Sequence, residues 1–442
     1  MIRIVSSVGI DDCGEQSNEH GAEIKELLAR LAARSVALDS ELLAQVGKII
    51  EEVRRRGDEA VVEYTRRFDG VEVNAKEFKV SEEALRKSAA SVEPEVLGAL
   101  RVAIENVRVF HERQLEESWE ITPREGVRLG QRITPLERVG LYVPGGTAAY
   151  PSSVVMNVVP AQVARVERIV VTTPPRTLAE NPAVAAALLE LDVKEIYSVG
   201  GAQAIAALAF GTETIPRVDK ITGPGNKYVA AAKKLLFGVV GIDGIAGPSE
   251  IVIVADQTAH AEFVAADLLA QAEHGEDASA VLITTEPALA KRVAEELMRQ
   301  VETLPRREIV RSSLENYGAI VLVDDLDEAC AIVNELAPEH VEIVTRDDEA
   351  TAAKIKHAGA IFFGSYTPEA VGDYLAGPNH VLPTGRTARF SSALGVYDFV
   401  KRTSLLRYSA SAFAAVAQSV SILADCEGLD AHARSATIRK QK

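Results

Sequence analysis

Residues 250–284 read EIVIVADQTAHAEFVAADLLAQAEHGEDASAVLIT. The run Glu250 to Ala255 is β-branched and apolar without polar alternation, as a strand covered on both faces requires. A helix over Phe263–Gly275 follows, with Thr258 as its expected cap and Gly275 as its stop. The run Ala280–Thr284 then reads as a second strand. Strand, helix and strand within about 35 residues make a βαβ unit, which builds a parallel sheet.

The same alternation extends in both directions. Runs starting at Arg168, Glu195, Ala319 and Ala360 are short and β-branched or aromatic, with Ala-rich segments long enough for crossover helices between them. Two successive α/β blocks emerge, roughly Gly140 to Ala246 and Gly247 to Ser392, each a candidate Rossmann-like half. Before them, Gly21 to Trp119 is charged, with apolar residues three and four apart (Leu42, Leu43, Val46, Ile49, Ile50, Val53), an amphipathic helical region. After them, Tyr408 to Leu423 is Ala- and Ser-rich and helical, and a short tail turns polar and finally basic.

The chain has 442 residues, 64 acidic and 48 basic, for a net charge of −16. That balance excludes nucleic-acid binding driven by bulk charge. An apolar content of 47% supports a folded core and argues against disorder. Cys13, Cys330 and Cys426 stand far apart, so neither a disulfide framework nor a thiolate zinc site is expected, and a reducing cytoplasm fits. The start lacks the basic segment and apolar block of a signal peptide. Val139 to Ala164 is uncharged and long enough to cross a bilayer, but Pro144, Pro151, Pro160 and its glycines make it a strand, a Gly-rich turn and a buried helix start. No membrane role is expected.

Few residues offer chemistry. Gln271 and His274, three apart at the end of the expected helix, share a face where unpaired carbonyls favour a cation. Asp373 and His380 lie in the Gly- and Pro-punctuated GDYLAGPNHVLPT segment, the kind of loop that carries function. Glu339 and His340 sit between a helix over Leu326–Leu336 and a strand over Val341–Val344. Extended neighbours point to opposite sides, so this acid and imidazole are expected to handle separate protons. Gly-rich turns at Val143–Gly146, Gly200–Gly201 and Gly223–Asn226 allow close approach of backbone to a phosphate. None matches G-x-G-x-x-G with a distant acid, so the usual dinucleotide fingerprint is absent. Ser249 in AGPSE lacks the G-x-S-x-G setting of a nucleophilic serine.

Taken in order, GLYVPGGTA, GPGNKYV, GIDGIAGPSEI, LLAQAEHG, APEHVE, GDYLAGPNHVLPT and EGLDAH resemble the histidinol dehydrogenase family from about Val139 to His432. The resemblance implies oxidation of L-histidinol through L-histidinaldehyde to L-histidine, with two NAD and one bound zinc per subunit, as the last step of histidine biosynthesis. It implies Gln271, His274, Asp373 and His432 as zinc ligands and Glu339 and His340 as the acid–base pair. Ser249, His380 and Glu427 are then expected around the substrate with the ligands and His340, and Tyr142, Gln203 and Asn226 as NAD contacts. It further implies incomplete Rossmann-like domains and a homodimer in which one subunit's tail, with Glu427 and His432, completes its partner's site. The division expected is 1–20 as an N-terminal segment, 21–140 plus 248–393 as one α/β domain, 141–247 as the second, and 394–442 as the dimer-forming tail.

Two other readings compete. A zinc hydrolase would use Glu339 to activate water for attack on an amide or ester, without NAD. A sensor of an imidazole metabolite would keep the metal ligands but has no need of Glu339 and His340, both of which are present.

Overall fold

A computed structural model describes residues 2–6, 18–34, 39–145 and 150–440. Cys13, Gly146 and most of the expected segment 1–20 lie outside the described residues. Among the described residues there are two parallel sheets and one antiparallel sheet, with helices around them. Among the described residues no helix is long and apolar enough to cross a membrane.

The smaller parallel sheet takes its strands from Arg138–Tyr142, Arg168–Thr173, Glu195–Ser198, Lys220–Thr222 and Gly241–Ile242. Numbered in chain order, they lie side by side as 3-2-1-4-5, the Rossmann order without its sixth strand. The larger sheet repeats that order with Glu250–Ala255, Ser279–Thr284, Ala319–Leu322, His340–Val344 and Ala360–Phe363, and adds Arg3–Ser6 beside the third strand. The strands Glu250–Ala255, Ser279–Thr284 and His340–Val344 are buried along their whole length, as the unbroken apolar runs demand.

Several features depart from the sequence reading. Arg3–Ser6, in a segment that reads as indifferent polar text, pairs in parallel with Ala319–Leu322. Trp119–Arg124, Val127–Pro135 and Val400–Tyr408 form an antiparallel sheet that no apolar run signals, because its faces are largely exposed. The tail therefore begins as a strand, before the helices Ala410–Cys426 and Asp430–Thr437. The helices Ser40–Arg56, Asp58–Asp69 and Pro94–Glu112 stand with residues 248–393 in the expected division. Their buried side chains nevertheless lie with the smaller sheet: Val46, Val53 and Val61 pack with Ile205 and Ile221, and Val107 with Val155 and Leu188.

Candidate active site

The helix seen in the AEHG region is Ala261–Ala272, preceded by His260 with no side-chain cap. Thr258 is not the cap, because its N–H and hydroxyl both donate to Asp256 Oδ1. Gln271 lies in the last turn, but His274 lies just past the helix end. There its Nδ1 donates to the Ala270 carbonyl (3.1 Å), one of the carbonyls a helix end leaves unpaired. Its Nε2 is thereby free to face Asp373 Oδ2 at 3.9 Å.

Asp373 belongs to the short helix Glu369–Tyr374 and is the hub of the cluster. Its Oδ1 lies 3.9 Å from His340 Nε2 and 3.9 Å from His380 Nδ1. Asn379, beside His380, donates to the Met156 carbonyl (2.6 Å), which ties this segment to the first helix of the smaller sheet. Burial lowers the pKa of His380.

His340 is the first residue of its strand, and Glu339 stands in the bend before it. The expectation that they face opposite sides is therefore wrong. The extended alternation starts only after Glu339, and His340 Nδ1 lies 3.7 Å from Glu339 Oε2. Both side chains are held by Glu250: its N–H donates to Glu339 Oε2 (3.0 Å), and its carbonyl accepts from His340 Nδ1 (3.0 Å). That bond fixes the tautomer. The proton sits on Nδ1, leaving Nε2 as a buried basic nitrogen with no hydrogen-bond partner. Burial pushes the imidazole down to about 4, so it is neutral at neutral pH. Burial also pushes the Glu339 carboxyl well above the ordinary carboxylate range.

Glu369 is a residue the sequence reading missed. It is buried, its Oε1 lies 3.6 Å from His340 Nδ1, and it stands with His274 and Asp373 in a group whose donor atoms lie within 4.8 Å of one another. The available signal was its spacing four residues before Asp373, which puts both carboxylates on one helix face. With its NH2 toward the carboxylate, Gln271 donates to Glu369 Oε2 (2.7 Å) and turns its carbonyl oxygen to Glu250 N–H (3.2 Å). Behind the cluster, Glu342 accepts from Glu369 N–H (2.7 Å) and bonds carboxyl to carboxyl with Asp267, so burial keeps a proton between the two.

Gln271, His274, Asp373, Glu339, His340 and His380 thus converge, with Ser249 immediately before Glu250. Glu427 and His432 do not join them within one chain. Both are exposed in the tail, and neither makes a side-chain hydrogen bond or ion pair with the cluster. One imidazole and two carboxylates suit a divalent, zinc-like cation, and Gln271 lies at its edge with its amide oxygen turned to Glu250 N–H.

A second polar locus lies at the carboxyl ends of the smaller sheet. Tyr142, the last residue of the first strand, accepts from Gly201 N–H through its hydroxyl (3.1 Å), and burial pushes its phenol up to about 12. Gly223, just past the fourth strand, has φ +108°, and a Cβ there would lie 2.2 Å from the Tyr142 carbonyl oxygen. Gln203 is buried with neither amide atom bonded, and the buried hydroxyls of Thr172, Thr173 and Thr177 are likewise unpartnered. Such unspent donors and acceptors, at the carboxyl ends of the second and third strands, suit a polar ligand such as a dinucleotide. Asn226 is exposed and caps the helix Lys227–Leu236 by accepting from Tyr228 and Val229 N–H (3.0 and 3.2 Å).

The sequence and fold of this chain are similar to those of known proteins. The family model described as histidinol dehydrogenase matches residues 32–440. The histidinol dehydrogenase of Geobacillus kaustophilus is 57% identical over 89% of this chain and 93% of its own length. That of Nitrosomonas europaea is 49% identical over 100% of both chains. The crystal structure of histidinol dehydrogenase from Elizabethkingia anophelis superposes with a TM-score of 0.90 at 34% identity, covering 100% of this chain and 98% of that one. This chain belongs to the histidinol dehydrogenase family.

Proposed function

We propose that the protein oxidises L-histidinol to L-histidine through L-histidinaldehyde, with NAD as oxidant and one zinc ion per subunit. The observation that carries the reading is His340, a buried imidazole whose Nδ1 proton is committed to Glu250 and whose Nε2 is free beside the donor cluster of His274, Glu369 and Asp373.

Bound zinc supplies a fixed positive centre that orients the substrate's imidazole and amino nitrogens, and bound NAD supplies the hydride acceptor. Gln271, His274, Asp373 and the partner subunit's His432 are the proposed zinc ligands, and Tyr142, Gln203 and Asn226 the proposed NAD contacts. His340 Nε2 takes the hydroxyl proton as hydride leaves the alcohol carbon. The resulting imidazolium lies 3.9 Å from Asp373 Oδ1, whose negative charge offsets it. Glu339 then draws a proton from the water that adds to the aldehyde, a task suited to a carboxylate whose basicity burial has raised. The His340 imidazolium returns its proton to the aldehyde oxygen as the water adds, so the neutral imidazole accepts the hydrate's hydroxyl proton in the second oxidation. Ser249, His380 and Glu427 hold the substrate.

We further infer a homodimer whose tails complete the partner's sites. The tail leaves Leu406, Ile422 and Leu423 more than half exposed, which suits an element docked on a second copy. Incubation with L-histidinol and NAD, before and after chelation and again with zinc restored, tests the proposal. Two NADH per histidinol, lost with the metal and regained with it, is expected; no NADH in any state would discard the dehydrogenase reading.

A further inference from the structure

Both proposed reacting side chains depend on the peptide groups of one residue. Glu250 opens the strand Glu250–Ala255; its N–H holds Glu339 and its carbonyl holds His340. A strand end has fewer ladder bonds than the strand interior, so its peptide orientation needs another anchor. The Glu250 side chain runs inward and meets Arg34 Nη2 at 2.9 Å, with the two side chains only 11% and 3% exposed. Arg34 follows the helix Asn18–Ala33, lies 216 residues away in sequence, and is itself fixed. Its guanidinium lies over the Tyr317 ring at 5.2 Å and donates to the Asp277 carbonyl.

A buried ion pair is poor value as a stability device, because desolvation offsets the attraction. We propose that Arg34 and Glu250 are positioning residues for the oxidation: Arg34 locks the Glu250 carboxylate, and the Glu250 peptide thereby sets Glu339 and His340 against the substrate. The inference rests on the roles assigned above to Glu339 and His340. Without Arg34, the Glu250 carboxylate must turn or take up water, and its peptide turns with it. A displacement of about 1 Å at reacting groups costs on the order of a hundredfold in rate.

The test uses the full-length, zinc-loaded enzyme. Arg34→Ala is expected to lower kcat by about tenfold or more while the KM values for histidinol and NAD stay within about twofold, since the ground-state contacts remain. A cavity of about 20 Å³ lined by Leu28, Leu31, Arg34, Glu250 and Pro338 already lies beside the pair, and truncation of Arg34 enlarges it. Free guanidinium, far below denaturing concentration, should then restore part of kcat, whereas sodium chloride of equal ionic strength should not. Arg34→Lys, which places a point charge where a planar fork sat, is expected to recover less than half of the loss. A folded, zinc-loaded Arg34→Ala enzyme with kcat within twofold of wild type would overturn the proposal, as would a loss that guanidinium does not relieve. If Arg34→Ala fails to fold, the pair Arg34→Met with Glu250→Gln removes both charges at similar volume. Reduced kcat in that double variant supports positioning, and wild-type kcat refutes it. Glu339→Gln and His340→Asn run in parallel separate the two readings. If they keep wild-type rates, the site assignment fails; if they are inactive while Arg34→Ala is not, only the positioning role fails.

Discussion

The two parallel sheets share the strand order 3-2-1-4-5 but gather their notable polar groups at opposite ends. In the smaller sheet the unspent polar groups (Thr172, Thr173, Thr177 and Gln203) lie at or beyond the carboxyl ends of the strands, where open α/β sheets ordinarily bind ligands. In the larger sheet that end is already stitched shut. Asp256 accepts from Thr258 and from Arg346 N–H, Asp348 accepts from Thr345 N–H, and Thr284 accepts from Glu286 N–H. Its reactive groups gather instead at the amino ends, around Glu250 and His340. Strand order therefore places the crevices, and the balance of satisfied and unsatisfied polar groups decides which crevice is used.

The comparison can be broken from either end. The largest effect is expected at the amino-end site, where His432→Ala and Glu339→Gln should each fail to carry histidinol through to histidine alone. Mixed and re-associated, they should recover roughly a quarter of wild-type activity. About half of the dimers are hybrids, and each hybrid has one intact site if the tail crosses between subunits. Absence of recovery in verified hybrids would place His432 outside a shared site. A smaller effect is expected at the carboxyl-end site. Gly223→Ala introduces a Cβ only 2.2 Å from the Tyr142 carbonyl oxygen at a φ of +108°. Strain of about 1–3 kcal/mol there should raise the KM for NAD by roughly tenfold, with zinc content and the KM for histidinol unchanged. Equal effects on both substrates would mean that the two ends are not separate sites.

Much of this was legible in the sequence because the deciding features are local. The buried strands announce themselves as unbroken β-branched runs, and the end of Leu326–Leu336 follows from Pro338 after it. The resemblance singles out Gln271, His274, Glu339, His340 and Asp373, which the fold draws into one cluster. What was not legible is non-local or weakly patterned. The exposed antiparallel strands alternate too little to register, and Arg3–Ser6 is a strand only because Ala319–Leu322 offers it an edge. Glu369 and Arg34 look like surface charges until the chain brings them against His340 and Glu250. The side on which Glu339 points depended on a bend that extended periodicity does not foresee.

The central claim is that one imidazole serves both oxidations while the neighbouring carboxyl serves only the hydration between them. Glu339→Gln offered L-histidinol and L-histidinaldehyde in separate single-turnover reactions tests it most directly. NADH formation from histidinol should stay within about tenfold of wild type, while formation from the aldehyde falls by about a hundredfold or more. Equal loss with both substrates would contradict the division of labour between Glu339 and His340.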